Sequence, residues 1–406
     1  MAKRSGQDQR RQAAFDRRVE RLRRQAAPIA SGREYLDGPV DPAVEAEDLG
    51  GGRTRLFVQA GGQRVSQATV IDFAQQIGGQ TVRMGGVASV GTAGGHRFRG
   101  YSRQVMSAAL RWMRQAGFDT SMLYGIPCFY PKFGYAPAFP ASVFSLPVSA
   151  AKSVPAAGHR FVRFGPKHLS AVLRMYRAGN AGRTGPTERV AGRWAPFRVG
   201  LSWQTHAACR VAIDAAGRPA GYWAYDFEEP GRSILEVGWR TPRVFADILR
   251  AAAGVARRAG RAEVRFVLAP DDAFMAWCRP LGLRQEITCR RDGWAMIRVI
   301  NVRTALAAVG PDLAARCGGA GRLNVRTNLD AVGLRWRAGA MTVGRPARGA
   351  PTVRLPQWAL AQMLYGYASA DALAARGLLT GPARAIGALA AMLPVRPHHH
   401  YRVDSF

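Results

Sequence analysis

The chain has 406 residues, 48% of them hydrophobic, with 58 Lys and Arg against 27 Asp and Glu for a formal charge of +31. That length and apolar content fit two or three domains with packed cores; no apolar run reaches membrane-spanning length, and Met1-Ala2-Lys3-Arg4-Ser5 lacks the apolar core of a secretory signal, so a cytoplasmic protein is expected. Lys3, Lys132, Lys152 and Lys167 are the only lysines, and arginine is spread along the whole chain as in a GC-rich coding background, which argues against nucleic acid as the partner.

One true basic cluster, Arg10-Arg11, Arg17-Arg18 and Arg21 with Arg23-Arg24, lies in a poorly structured stretch over residues 1–50 that ends in Gly50-Gly51-Gly52. It reads as a solvated arm, with nucleic acid or a membrane surface as the other reading. No clear first strand is legible there. From Thr54 a sheet follows: Leu56-Phe57-Val58, a turn at Gly61-Gly62, Gln67 to Ile71, a second turn at Gly78-Gly79, then Thr81 to Met84 and Val87 to Val90. Val105, Met106, Ala109, Leu110, Met113 and Ala116 recur at three- and four-residue steps, predicting a helix that Gly117 ends. Between strand and helix stands the basic, glycine-bearing turn Val90 to Ser102. The N–H groups of Phe98 to Arg103 would be the unpaired first turn of the helix, an anion-seeking end where Gly100 and Ser102 add little bulk. An ordinary basic helix start is the alternative. The strand Thr120 to Ile126 and the aromatic turn Phe129-Tyr130-Pro131-Lys132-Phe133-Gly134-Tyr135 come next.

Beyond residue 150 the order repeats: Val162 to Phe164, a helix with Leu169, Val172, Leu173 and Tyr176, strands at Cys209 to Ile213 and Gly221 to Tyr225, a helix from Phe245 ending at Gly260, the strand Val264 to Leu268, and an aromatic helix with Phe274 and Trp277. No glycine turn precedes Phe245, so this copy lacks a phosphate cradle and is expected to be structural. A third part opens at Trp294 to Val302 and includes a strand at Ala340 to Val343 and the apolar helices Leu355 to Tyr365 and Ala370 to Leu373. Such a unit encloses either a lipid-like cavity or a plain packed core. The cysteines Cys128, Cys209, Cys278, Cys289 and Cys317 form no pairing or zinc pattern, and Cys128 reads as an apolar filler. His398-His399-His400 invites a metal reading, but adjacent histidines diverge on any regular element, so no metal is expected.

The spacing Arg97-x-x-Gly100-x-Ser102 resembles the pyrophosphate-binding signature of the GCN5-related N-acetyltransferases (GNAT), with Ser102 where Gly or Ala is usual. Two such domains, Trp294-x-x-x-Arg298-x-x-Asn301-Val302 at a junction and a terminal aromatic residue resemble the enhanced intracellular survival (Eis) acetyltransferases. The resemblance implies an α/β (α+β) chain: a catalytic GNAT domain at 51–150, a degenerate GNAT-like domain at 151–293 and a sterol-carrier-protein-like domain at 294–406. It implies acetyl coenzyme A as co-substrate, held by Val90, Gly91, Thr92, Phe98, Arg99, Gly100, Tyr101, Ser102, Arg103, Gly125 and Ile126. It also implies Tyr130 as general acid, the α-carboxylate of Phe406 as general base, an aminoglycoside, polyamine or lysine amine as acceptor, and a homo-oligomer, a hexamer in that family.

The chemistry suits those residue types. Strand-end N–H groups at Val90 to Thr92 could hold the pantetheine arm and polarise the thioester carbonyl. A tyrosine, pKa about 10, lies close enough to a thiol to protonate a departing thiolate. A terminal carboxylate, pKa about 3.5, serves as base only if desolvated or acting through water. From the residues alone, Tyr130 reads equally as core and Phe406 as a fraying end. The alternative function is a coenzyme A- or lipid-binding protein that has lost catalysis.

Overall fold

The computed structural model describes Arg17 and residues 44–229 and 232–406. The basic cluster, Arg17 apart, lies outside the described residues. They divide into two compact units: the first joins the residues up to Ala138 to Arg290–Arg396, and the second joins Phe139–Cys289 to Pro397–Phe406.

In the first unit β1 (Val44–Asp48), β2 (Arg53–Ala60), β3 (Gln63–Ile77) and β4 (Gln80–Thr92) form an antiparallel series, and β5 (Thr120–Gly125) adds in parallel to β4. The sheet is completed by Trp294–Val299, antiparallel to β5, and by the short β6 (Ala136–Pro137) on its far side. Helix α1 (Tyr101–Gln115) buries Val105, Met106, Ala109, Leu110 and Met113 on Val58, Val70, Val87 and Leu123, the stripe that its sequence spacing predicts. At Gly85 a Cβ would collide with the Met113 sulfur, so the missing side chain is what lets the helix sit down on β4. β1 was not legible because it is an edge strand written in charge: Glu47 pairs with Arg55 and Arg64 at 3.0 and 3.1 Å, and Glu45 accepts from Gln59.

The second unit repeats the pattern. Its seven strands are β7 (Ala141–Pro147), β8 (Arg160–Arg163), β9 (Ala207–Ile213), β10 (Pro219–Asp226), β11 (Ile234–Trp239), β12 (Glu263–Phe266) and β13 (Arg284–Thr288), in the order β13-β7-β12-β11-β10-β9-β8. Only β11 and β12 are parallel. Helices α2 (Leu169–Gly179), α3 (Phe245–Arg258) and α4 (Ala273–Cys278) pack around it, with Trp223, Phe245, Phe266 and Phe274 in the core. Two segments fall across the boundaries expected from sequence. β7, expected in the first domain, pairs with β12 and β13, while Trp294–Val299, expected to open the third, pairs with β5. Each strand fills the slot beside its sheet's parallel strand, and that choice is a non-local pairing with no local sequence signal. The mixed α/β class is the one the sequence predicts.

The rest of the first unit holds a four-stranded sheet of Ala340–Gly344, Ala331–Arg337, Ala320–Arg326 and Thr352–Arg354, in that order, the helix Gln357–Leu364 buried along its whole length, and the helices Val302–Ala308, Gly310–Ala315, Ala370–Ala375 and Ala383–Met392.

The C-terminal segment does not fray. Asp404 takes two hydrogen bonds of 2.9 Å from the Arg189 guanidinium, which also grips Glu236 at 2.5 and 2.7 Å, and all three side chains are buried. Trp194 Nε1 donates to the same carboxylate at 3.1 Å, and His399 N donates to Thr184 O at 2.9 Å. An arginine serving two carboxylates satisfies charges that would be costly to bury alone.

Candidate active site

The β4–β5 ladder runs from Met84–Thr120 to Val87–Leu123 and stops, while β4 continues to Thr92 and β5 to Gly125. A bulge opposite Gln67–Thr69 marks the point of departure, with Ser89 held at φ 51°. Val90, Gly91 and Thr92 thus end a strand whose β5 side is unpaired, and a Cβ at Gly91 would meet nothing within 4 Å. Gly125 and Ile126 close the opposite side, Ile126 being 44% exposed.

The turn into α1 presents backbone N–H groups. Gly100 caps the helix at φ 89°, ψ −6°, a left-handed conformation that suits glycine. No acceptor among the described residues meets the N–H groups of Gly100, Tyr101 and Ser102, whereas Arg103 N and Gln104 N both turn back to Gly100 O. Ser102, the departure from the usual small residue, ties the helix to the strand: its hydroxyl lies 2.6 Å from that of Thr92, which lies 2.9 Å from that of Ser66. Arg97 Nε donates to Thr92 O at 3.3 Å, so its contribution is to brace the turn.

Over this turn opens a pocket of about 440 Å³ lined by Phe98, Arg99, Gly100, Arg103, Phe129, Lys132 and Phe133. Arg99, Arg103 and Lys132 bring three cationic side chains to its lining. Phe98 stands 60% exposed at φ 68° beside them. Cations, free N–H groups and aromatic faces together match a phosphate-bearing nucleotide, and the left-handed Gly100 leaves the backbone open to it. Lys132, Phe129 and Phe133 were not among the expected site residues. Their position in the aromatic turn directly after β5 was the available signal.

That turn is a 3₁₀ segment, Tyr130–Phe133. The Tyr130 ring packs on Phe129 at 4.9 Å between centroids and on Tyr135 at 6.3 Å, 8% exposed. It also lies directly on Gly125, where a Cβ would stand 2.5 Å from Tyr130 Cδ2. Its hydroxyl has no hydrogen-bond partner among the described residues, and burial pushes it well above the ordinary phenol pKa. The neighbouring Tyr135 is committed: fully buried and pushed up to about 12 by desolvation, it bonds Ser121 Oγ at 2.7 Å. Tyr124 lies half-buried, edge-on to Trp294. Cys128 is raised by desolvation and by Asp292, so the thiol stays neutral, consistent with a filler.

Residues far along the chain hold the turn. The buried Arg298 guanidinium bonds Phe133 O, and Gln357 accepts from Val299 N at 2.9 Å while donating to Gly134 O at 2.6 Å. Asn301 Nδ2 caps the end of α1 at Phe118 O, 2.7 Å. Arg298 and Asn301 are the two polar positions of the Trp-x-x-x-Arg-x-x-Asn-Val motif, which the sequence showed without its purpose.

The cradle, Gly125, Ile126 and Tyr130 belong to one unit. Phe406 belongs to the other, half-buried with its ring 6.4 Å from that of His400. No group of three potential metal ligands occurs among the described residues; His399 packs on the Tyr401 ring, and His400 on those of Phe139 and Phe406. No helix among those residues is long and apolar enough to cross a membrane.

The acetyltransferase (GNAT) domain family matches residues 41–138. No curated protein matches the chain. Among solved structures it is similar to a probable N-acyltransferase from Enterococcus faecalis (TM-score 0.71, 16% identity, 87% of this chain and 89% of that one). It is also similar to a GCN5-related N-acetyltransferase from Kribbella flavida (0.65, 21%, 87% of each). A third is Eis1 from Mycobacterium abscessus (0.62, 16%, 88% and 91%). Residues 41–138 therefore carry an acetyltransferase (GNAT) domain, and the chain shares its fold with N-acetyltransferases that include Eis1.

Proposed function

We propose that this protein transfers acetyl from acetyl coenzyme A to a primary amine of an aminoglycoside, a polyamine or a lysine. The observation that carries the reading is the pocket of Arg99, Arg103 and Lys132 over free helix N–H groups, next to a tyrosine with an unspent hydroxyl. Acetyl coenzyme A would supply the activated thioester. The N–H groups of Gly100 to Ser102 and the three cations would hold its pyrophosphate, with Phe98 and Arg103 bounding the same cradle. The unpaired edge at Val90, Gly91 and Thr92 would align the pantetheine arm opposite Gly125 and Ile126 and polarise the carbonyl.

Tyr130 would protonate the departing sulfur. Desolvation keeps it fully protonated at neutral pH, so the proton is present when the thiolate forms. The base is the α-carboxylate of Phe406, acting on the amine directly or through water; anchoring of the terminal segment by the Asp404–Arg189 pair supports a fixed position for it. By the same family resemblance, the four-stranded sheet with its aliphatic helices is a sterol-carrier-like module, and the working form is a cytoplasmic homo-oligomer.

The test is thiol release from acetyl coenzyme A against a panel of aminoglycosides, polyamines and lysine peptides. Amine-dependent release is expected. Tight coenzyme A binding with no release for any amine would make the protein a binder on an acetyltransferase scaffold.

A further inference from the structure

The second unit has no glycine cradle, yet it keeps an opening where the first unit has its site. β11 pairs with β12 through Ile234–Phe266 and then runs on to Trp239. At that open end is a cavity of about 180 Å³ whose lining includes Met175 and Asn180 at the end of α2, Arg183, Val237 of β11, Asp272 and Tyr401. At about 30 Å³ per water this is space for roughly six waters, or a molecule of about ten heavy atoms.

The polar groups around it are buried and only partly spent. Asn180, Arg183, Asp272 and Tyr401 are each less than a tenth exposed. Arg183 uses Nε on Asp271 at 3.1 and 3.3 Å and Nη1 on Asn180 and Tyr401 at 2.6 and 3.2 Å. Its Nη2 has no partner among the described residues. Asp272 accepts from the backbone N–H of Phe274 at 2.9 Å and also from that of Met275, and from no side-chain donor among those residues. A buried guanidinium with a free N–H and a buried carboxyl with no cationic side chain bonded to it leave one donor for a carboxylate and one acceptor for an ammonium. Met175 and Val237 add apolar surface to the same lining.

We propose that this cavity binds a small zwitterion, an α-amino acid with a short aliphatic side chain. Its carboxylate would meet Arg183 Nη2, its ammonium Asp272, and its side chain Met175 and Val237. The site is separate from the transfer chemistry and depends on no step of it. Desolvation lifts the Asp272 carboxyl to about 6 against the pull of Arg183; Asp271, Tyr176, Tyr222 and Tyr401 are the other titratable groups at the cavity. Binding through the carboxylate therefore weakens as pH falls below about 6.

Calorimetry on the full chain without acetyl coenzyme A tests it with three probes: L-valine, isobutylamine, which lacks the carboxylate, and isovalerate, which lacks the ammonium. Saturable L-valine binding is expected, at least tenfold tighter than either fragment. Asp272→Asn, which keeps the oxygen that accepts from Phe274, should lose at least tenfold in L-valine affinity while binding coenzyme A normally. Ala273→Trp, placed on an exposed lining residue, should block the site by bulk. No saturation at tens of millimolar, undiminished affinity in folded Asp272→Asn or Ala273→Trp, or isobutylamine binding as tightly as L-valine would each overturn the proposal.

Discussion

Gly125→Ala adds one methyl group where the structure has no room for it. The new Cβ would stand 2.5 Å from Tyr130 Cδ2, 3.1 Å from Cε2 and 2.8 Å from Leu123 Cδ1. Ordinary carbon contacts are about 3.5–4 Å, so the Tyr130 ring must retreat by roughly 1 Å. Leu123 can rotate, but the ring is wedged between Phe129 and Tyr135. Overpacking of this kind costs about 1–3 kcal/mol of stability. A misplacement of ~1 Å at a reacting group costs on the order of 100-fold in rate, about 2.7 kcal/mol of barrier. If Tyr130 delivers the proton, kcat measured by thiol release at saturating acetyl coenzyme A falls about 100-fold, whatever Gly125→Ala does to coenzyme A affinity by calorimetry. A lower melting temperature with normal kcat would refute the reasoning and leave Tyr130 a packing residue.

Gly100→Asp puts a side chain at φ 89° and a carboxylate into the pocket lined by Arg99, Arg103 and Lys132, so, if that pocket takes the pyrophosphate, coenzyme A affinity should weaken by well over tenfold, more than about 1.4 kcal/mol, by calorimetry on folded protein; unchanged affinity removes the cradle from the site. One residue added after Phe406 keeps every side chain but moves the α-carboxylate by up to ~3.5 Å, so most turnover should vanish with coenzyme A binding intact, and equal turnover would exclude Phe406 as base. Acid should destabilise the second unit: burial holds His400 down to about 4 and His399 well below its ordinary value, so the stability they confer is complete above about pH 6.5 and drains as pH falls toward 4, about 3 kcal/mol for His400 alone. Asp272, raised to about 6, runs the other way, so thermal melts from pH 7 to 5 should fall more steeply in Asp272→Asn than in wild type; a melting temperature that rises on acidification contradicts the assignment.

The local parts of the first unit were legible because their signals are local. The spacing of Val105 to Met113 gave α1, and Gly100 marked the left-handed turn that starts it. β1 escaped because Glu45 and Glu47 carry no apolar alternation; they hold an edge through ion pairs. β7 and Trp294–Val299 escaped because strand partners are chosen across more than a hundred residues. Lys132 was missed for the same reason: the aromatic turn that carries it to the pocket of Arg99 and Arg103 is braced by Arg298 and Gln357, far along the chain. The tail looked like an ordinary chain end, since the partners of Asp404 lie at Arg189 and Trp194.

The most direct test of the account is Tyr130→Phe, which removes one oxygen and leaves the ring packing in place. With an accepted amine and saturating acetyl coenzyme A, the account predicts a turnover loss of about 100-fold or more, coenzyme A affinity within about twofold of wild type, and near-normal turnover in Tyr135→Phe, provided that variant folds. Turnover of Tyr130→Phe equal to wild type would contradict it and pass the proton to another donor.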